Sequence, residues 1–307
     1  MLHRGALYLL ILALAVLASP GLAPSADAQT TIIVDDDFFN CVDGLTPNWY
    51  TISAAVADAS PGDTIRVCEG DYTEPSMTIY DNELTITSSG PAVTHVHWTG
   101  DMAAMFFIQA DNVVVQGLDL DATPAHPADA STGILISRDS ATIQNNEIRN
   151  ATGAAVATSH VAAPSYVQVL SNNIHDSATG VVCRCYDSAL SGNTVNVGGN
   201  TALALFGRGA ITSNVVVDGT VGGYGEDVLV ANNQISGITV DPLIDVMGNR
   251  IGITDNTLSD TTGYGIKAES PGSPGSASTD VTIARNTFSQ VGCLSTLWTR
   301  IPVTASP

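Results

Sequence analysis

Lysine occurs once in this 307-residue chain, at Lys267, and ten basic residues face thirty acidic ones, a formal net charge of −20. Such a surface repels nucleic acid, anionic membranes and polyanionic glycans, which are excluded as unaided ligands. It attracts divalent cations, so a bound Ca²⁺ stays open, although solubility explains the same charge. Long apolar runs are also missing. The longest is Ala6 to Ala18, 13 residues, short of the roughly 18 that a spanning helix needs. A basic start (His3, Arg4) precedes it and Ala26-Asp27-Ala28 follows. This pattern predicts an export signal over residues 1–28, cut before Gln29, and no membrane span in the mature chain. Cysteine is scarce at five residues. No Cys-x-x-Cys or Cys/His spacing suits zinc, and no metal site is expected on that ground.

Export permits disulfides. Cys41 and Cys68 flank one compact segment and are the expected pair. Cys183 and Cys185 point the same way on a strand and suit burial as small apolar groups better than a bond to each other. Cys293 is left without an assignment.

What the chain does have is a repeat. An apolar residue, two small or polar residues, Asn, any residue and another apolar residue recur from Ile143 to Phe288. The fourth position is Asn146, Asn172, Asn193, Asn214, Asn233, Asn256 and Asn286, at intervals of 26, 21, 21, 19, 23 and 30 residues. Upstream, Leu118 stands in that place in Val115 to Leu120. A period of this size means a solenoid. Alternation of period two and richness in Val, Ile, Thr, Asn and Gly make the units strands rather than helices. Strands of successive turns then stack about 4.8 Å apart. Asn tolerates the left-handed backbone of a tight corner. Stacked in register, its amide can bond to the Asn above and below inside the coil.

Each unit also carries an earlier strand, often opened by Thr-Gly, as at Thr132, Thr152 and Thr179. With these strands and the Asn corners, the sequence resembles the right-handed parallel β-helix proteins of the pectin-lyase-like superfamily. The expected fold is all-β: a right-handed parallel β-helix solenoid of about nine turns, a rod of about 40 Å. Before it, Ile52, Ala55, Val56 and Ala59 have helical spacing and a turn at Pro61 to Asp63 leads into a strand. This looks like the lid such proteins place over the open end of their core, an N-terminal capping helix that Cys41–Cys68 would pin. The domain reading is therefore 1–28 signal, 29–75 cap, 76–292 coil and 293–307 a tail or poor cap anchored by Trp298. Ser270 to Ser278 reads as a Gly/Ser/Pro loop bulging from the last turns.

In relatives acting on acidic polysaccharides, the resemblance places the substrate groove on the outside of the first strand and its loops. By alternation, Ile134, Ile136, Val181, Cys183, Ala202 and Ala204 point inward. Leu135, Ser137, Ala155, Ala157, Val182, Arg184, Leu203 and Leu205 then point outward, a mostly apolar face suited to a loop or a protein partner. A lyase of this kind needs a base and a neutraliser of the carboxylate. Arg138, Asp139, His160, Arg184, Tyr186, Asp187 and Arg208 fall at similar loop positions on four turns. His160 or Tyr186 would be the base, Arg184 the neutraliser with Asp187 in reach, and Arg138, Asp139 and Arg208 ligand contacts; otherwise they are a solvated stack of loop charges. Asp245 and Lys267 lie several turns off, too far to cooperate. His175-Asp176 reads as surface, Asp35 to Asp37 as an exposed acidic turn or a Ca²⁺ site, and His95 and His97 as a metal pair without a third ligand. The functional expectation is a secreted, glycan-binding or cell-surface scaffold protein without assured catalysis, with an extracellular polysaccharide as partner. The alternative is a polysaccharide lyase, epimerase or glycoside hydrolase.

Overall fold

A computed structural model describes residues 29–37, 41, 46–100, 102–125, 131–237, 242–269 and 280–297. The expected signal over 1–28, the Ser270 to Ser278 loop and the Trp298 anchor lie outside the described residues.

Period-two sequence becomes strand throughout, and every strand pairing is parallel to the equivalent segment one turn away. Three series result. The first runs through Met77–Ile79, Ala104–Ile108, Thr132–Ile136, Ala154–Thr158 and Thr179–Cys183 into residues 201–207, 219–226, 244–249 and 266–269. The second runs from Thr31–Val34 through Thr64–Val67, Thr85–Ser88 and Val114–Gln116 to Val281–Ala284. The third starts at Gly70–Glu74 and Thr94–Trp98 and continues to residues 287–289. The inward row of each series packs one continuous apolar core, from Ile32 to Val281.

The repeated Asn residues sit where the second series turns into the third. Asn146, Asn172, Asn193, Asn214, Asn233 and Asn256 are buried. From Asn172 on, each Oδ1 accepts the backbone N–H and the Nδ2–H of the Asn one turn before. Around Asn193 these bonds are Asn172 N and Nδ2 to Asn193 Oδ1, both 3.0 Å. Asn193 Nδ2 in turn donates to Val169 O at 2.8 Å and to Asn214 Oδ1 at 3.0 Å. Two donors and two acceptor sites are thus all used, which is what a buried amide requires. The series ends at Asn286, half-buried, and begins where Leu118 N donates to Asn146 Oδ1.

One expectation is corrected here. The left-handed residue of the corner is not the Asn but the residue before it: Asn145, Ser171, Gly192, Ser213, Asn232, Asp255 and Arg285 have φ between 54° and 68°. The corner turns the chain at that residue, whose side chain faces outward. The next residue re-enters extended backbone with its side chain inside. Hence the turning position accepts five residue types, whereas the inward position needs an amide.

The sequence-predicted helix forms at Ile52–Asp58, with Thr51 Oγ1 accepting Ala54 N at the N-terminus and Ile52, Ala55 and Val56 buried. It packs on the strands at Thr31–Val34, Thr64–Val67, Gly70–Glu74 and Met77–Ile79. Buried Glu74 accepts the N–H groups of Ile52 (2.5 Å) and Ser53 (3.0 Å), which have no partner within the helix. A carboxylate there also suits the positive end of the helix.

Cys41 and Cys68 are disulfide-bonded. So are Cys183 and Cys185, against the expectation that they would only be buried. Both are buried, but the strand ends at Cys183. The chain turns around Arg184, bringing the two Cα atoms to 5.3 Å, within disulfide range. On a straight strand, residues two apart would lie about 6.6 Å apart. Cys293 is exposed and outside both bridges. Among the described residues no helix is long and apolar enough to cross a membrane.

Candidate functional site

The first series decides which side chains face out. Its pairing puts Leu135, Ala157, Val182, Ala204, Gly222, Asp245 and Lys267 in one outward row. Two residues further along each strand, a second row comprises Arg184, Phe206, Tyr224, Met247 and Glu269. This corrects the expected phase at two places. Leu203 and Leu205 pair with Val181 and Cys183 and are core, while Ala204 joins the outward row though it is itself covered. Ala155 is also buried, beside Val156. Two successive residues are buried near the start of this strand, as in the strands one turn before and after. The extra residue in the Asn200 to Phe206 stretch shows as a register shift between Thr201 and Leu203. A slip of one residue reverses every side chain, and this one hid Phe206.

Because the coil rise matches an aromatic stacking distance, in-register rings stack by construction. Phe206 and Tyr224 lie 4.8 Å apart between centroids, 22° from parallel. The Arg184 guanidinium lies over the outer Phe206 face, 5.0 Å from its centroid. At the other end the Tyr224 hydroxyl donates to Asp245 Oδ2 at 3.1 Å. Burial, then the charges of Asp245 and Glu269, push the Tyr224 phenol well above its ordinary value, so it stays protonated. Asp245 pairs in register with Lys267, whose ammonium meets Glu269 at 2.9 Å. Asp245 and Lys267, expected to be isolated, are therefore joined to Arg184 by two stacked rings.

Behind Phe206 and Tyr224 the strands turn outward at Gly207, Gly225 and Gly248, with φ of 148° to 153°. The residues after these glycines form a charged rim: Arg208 on Asp187 (2.5 Å), and Arg250 on Glu226 (3.1 Å) and Asp227 (2.6 Å). Hydrogen bonds from Arg208 hold the Asp187 carboxyl below its ordinary value. Rings and rim enclose an open cavity of about 570 Å³, lined among others by Tyr186, Phe206, Arg208, Tyr224, Glu226 and Arg250.

The residues singled out from sequence are only partly gathered here. His160 Nε2 lies 3.4 Å from Arg184 Nη1, both toward solvent. Tyr186 lines the cavity and is half exposed. Asp187 is occupied by Arg208. Arg138 is exposed one turn before His160. Asp139 stitches loops together, accepting Ser165 N at 2.8 Å and donating its own N–H to Asp111 at 3.0 Å. Phe206 and Tyr224 were missed. Their signal is a large residue, Gly and a polar residue, repeated at Phe206-Gly207-Arg208, Tyr224-Gly225-Glu226 and Met247-Gly248-Asn249.

A separate polar surface covers the third series. His95 Nδ1 contacts Asp119 at 2.8 Å, and Arg149 holds both Asp119 and Asp121 at 2.9 Å. His97 stays 3.8 and 3.9 Å from Asp121 and Asp71. His175 lies between Glu147 (2.9 Å) and Asp176 (2.6 Å). Burial lowers its pKa, but those hydrogen bonds outweigh burial and raise it. Among the described residues, metal-capable groups of three meet only at Asp35 with Cys41 and Cys68, which are bonded to each other, and at Asp35 to Asp37. Asp35 is buried rather than exposed, and Asp36 accepts the N–H of Asp71 at 3.0 Å.

No family model matches the sequence, and no curated protein does. Solved structures do. An alginate lyase from Paenibacillus sp. is 15% identical, with a TM-score of 0.61, over 87% of this chain and 97% of that one. The A-module of a mannuronan C-5 epimerase from Azotobacter vinelandii is 13% identical, with a TM-score of 0.51, over 90% of this chain and 100% of that one. A DFA-IIIase from Arthrobacter chlorophenolicus is 16% identical, with a TM-score of 0.56, over 80% and 82%. At such identities the likeness concerns the backbone path alone. The parallel strands, the single continuous core and these neighbours agree: the chain is a parallel β-helix protein of the pectin-lyase-like fold.

Proposed function

We propose that this protein is exported and binds an extracellular polysaccharide along the outer face of the first strand series, as a glycan-binding or surface scaffold β-helix. The Arg184–Phe206–Tyr224–Asp245 stack carries this reading. With their faces covered by each other and by Arg184, the rings present their edges as apolar contact area in the cavity wall, and the polar groups at both ends of the stack supply hydroxyl partners. The two disulfides suit an oxidising compartment. In the same reading, residues 1–28 direct export, 29–75 cover the N-terminal end with the helix as lid, 76–292 form about nine turns and 293–307 close the other end. The apolar outward row upstream, Leu135, Ala157 and Val182, is the contact face for a protein partner.

The second reading, a lyase, epimerase or hydrolase, draws on the titles of the structural neighbours and on Tyr224–Asp245 beside Lys267 and Glu269. Its weakness is chemical. Tyr224 is held protonated and hydrogen-bonded, Asp187 is held by Arg208, and His160 with Arg184 lies a turn from the cavity's centre.

Affinity electrophoresis of the purified chain through gels containing polysaccharides tests the proposal. Retardation is expected, and Phe206→Ala should weaken it about 10-fold or more, the value of one well-placed ring contact of about 1.5 kcal/mol. Retardation that Phe206→Ala and Tyr224→Ala leave unchanged would place binding elsewhere. Incubation with polygalacturonate or alginate, with or without Ca²⁺, is expected to leave both polymers intact. Ultraviolet-absorbing unsaturated products that vanish in Arg184→Ala would establish the enzyme instead.

A further inference from the structure

We infer that the polysaccharide is a neutral one, not a polyuronate; this rests on the groove reading above. The charge along the five turns from Arg184 to Glu269 favours a neutral ligand. The groove's cations are Arg184, Arg208, Arg250 and Lys267. Three already serve carboxylates: Arg208 pairs with Asp187, Arg250 with Glu226 and Asp227, Lys267 with Glu269. The fourth lies over Phe206 and beside His160. Asp245 on the floor adds another carboxylate, engaged by Tyr224. At the other end of the first-series strands, the loops that enter them carry Asp176, Asp218 and Asp260. Among the described residues of those loops there is no Arg or Lys between Asn150 and Gly265. His175, next to Asp176, is held by Asp176 and Glu147.

A polymer lying along the coil axis offers about one sugar ring per turn of about 4.8 Å. A polyuronate would bring a carboxylate at nearly every turn into a channel whose carboxylates already outnumber its cations, on a chain of net charge −20. To accept it, Arg208 and Arg250 would have to leave two-pronged carboxylate partners, which would then repel the ligand. Neutral rings meet no such cost. Their C–H groups lie against the ring edges of Phe206 and Tyr224 that line the cavity, and their hydroxyls can donate to the rim carboxylates and accept from the Arg N–H groups. The paired rim is therefore a filter against polyanions, although two neighbours of this fold are named for mannuronan and alginate.

The test is affinity electrophoresis of the full chain in gels containing pullulan, barley β-glucan, inulin or galactan as neutral probes, and alginate or polygalacturonate as acidic ones. Each is run at about 0.02 M and about 0.5 M NaCl, which spans weak to strong screening, with EDTA or Ca²⁺. The expected result is retardation by at least one neutral polymer, unchanged by salt and EDTA, and lost about 10-fold in Phe206→Ala. Alginate or polygalacturonate should leave the chain unretarded at low salt. Retardation by an acidic polymer as strong as by any neutral one, and lost in Phe206→Ala, would overturn this inference while leaving the groove reading intact. Retardation by none of the polymers would overturn both.

Discussion

Asn193→Asp is expected to lower the stability of the protein by about 3–5 kcal/mol at neutral pH, the cost of a buried carboxylate facing acceptors it cannot serve. Asn193 is buried, and its amide donates to Val169 O and Asn214 Oδ1. A carboxylate cannot donate, so three oxygens would crowd where two bonds were. The bonds it accepts from Asn172 would survive, so the loss isolates the donor half of the amide. Because burial raises a carboxyl pKa, the folded variant holds its proton to higher pH than the unfolded chain does. The defect is then fullest above the folded pKa and shrinks as pH falls toward the ordinary Asp range. Urea unfolding followed by circular dichroism at neutral and mildly acidic pH measures both. Asn286→Asp, on the half-buried last rung, should cost about 1 kcal/mol. Equal losses at the two positions would mean that the stacked amides are not what stabilises the coil.

Gly225→Ala is expected to cost about 3 kcal/mol or more and to disorganise the groove, since strained backbone and a hard clash add. A Cβ at Gly225 would lie 2.1 Å from Gly207 O, and φ there is 153°. The obstacle is backbone, itself in the ladder between turns, so it cannot swing aside as a side chain would. Gly207 and Gly248 meet the same kind of obstacle in the turns before and after. These three glycines let the strands bend immediately after Phe206 and Tyr224 while staying paired with one another, leaving both rings in the cavity wall and Arg208 and Glu226 on the rim. Gly62→Ala is the control. It shares a positive φ, 87°, but nothing lies within 4 Å, so about 1–2 kcal/mol is expected from the backbone alone. Thermal melts compare the two, and polysaccharide retardation should fall only for Gly225→Ala.

The coil was readable because it is written in spacing. An inward amide recurring every 19 to 30 residues has one economical explanation, and Ile52, Ala55 and Val56 announce a helix by the same kind of arithmetic. The groove was less readable because its residues depend on phase. One extra residue near Ala202 moved Leu203 and Leu205 into the core and Phe206 to the outside, and nothing in the local composition marks that shift. The Thr-Gly openings misled for the same reason. Thr132 aligns in space with Ala154, not with Thr152, because both pair with neighbours through the Ile134, Val156 and Val181 row. The Cys183–Cys185 bond was missed because a straight strand would hold the pair near the long end of the disulfide range, whereas the turn at Arg184 brings them to 5.3 Å.

By itself, then, the sequence determined the coil, its inward amides and the sign of its surface, since periodicity and net charge survive any uncertainty of one residue. Only the tertiary structure decided which rings stack, which arginines are already paired and where the strands bend. Those properties belong to residues some twenty positions apart that become neighbours only when one turn settles on the next, at a register set by the fit of the whole coil.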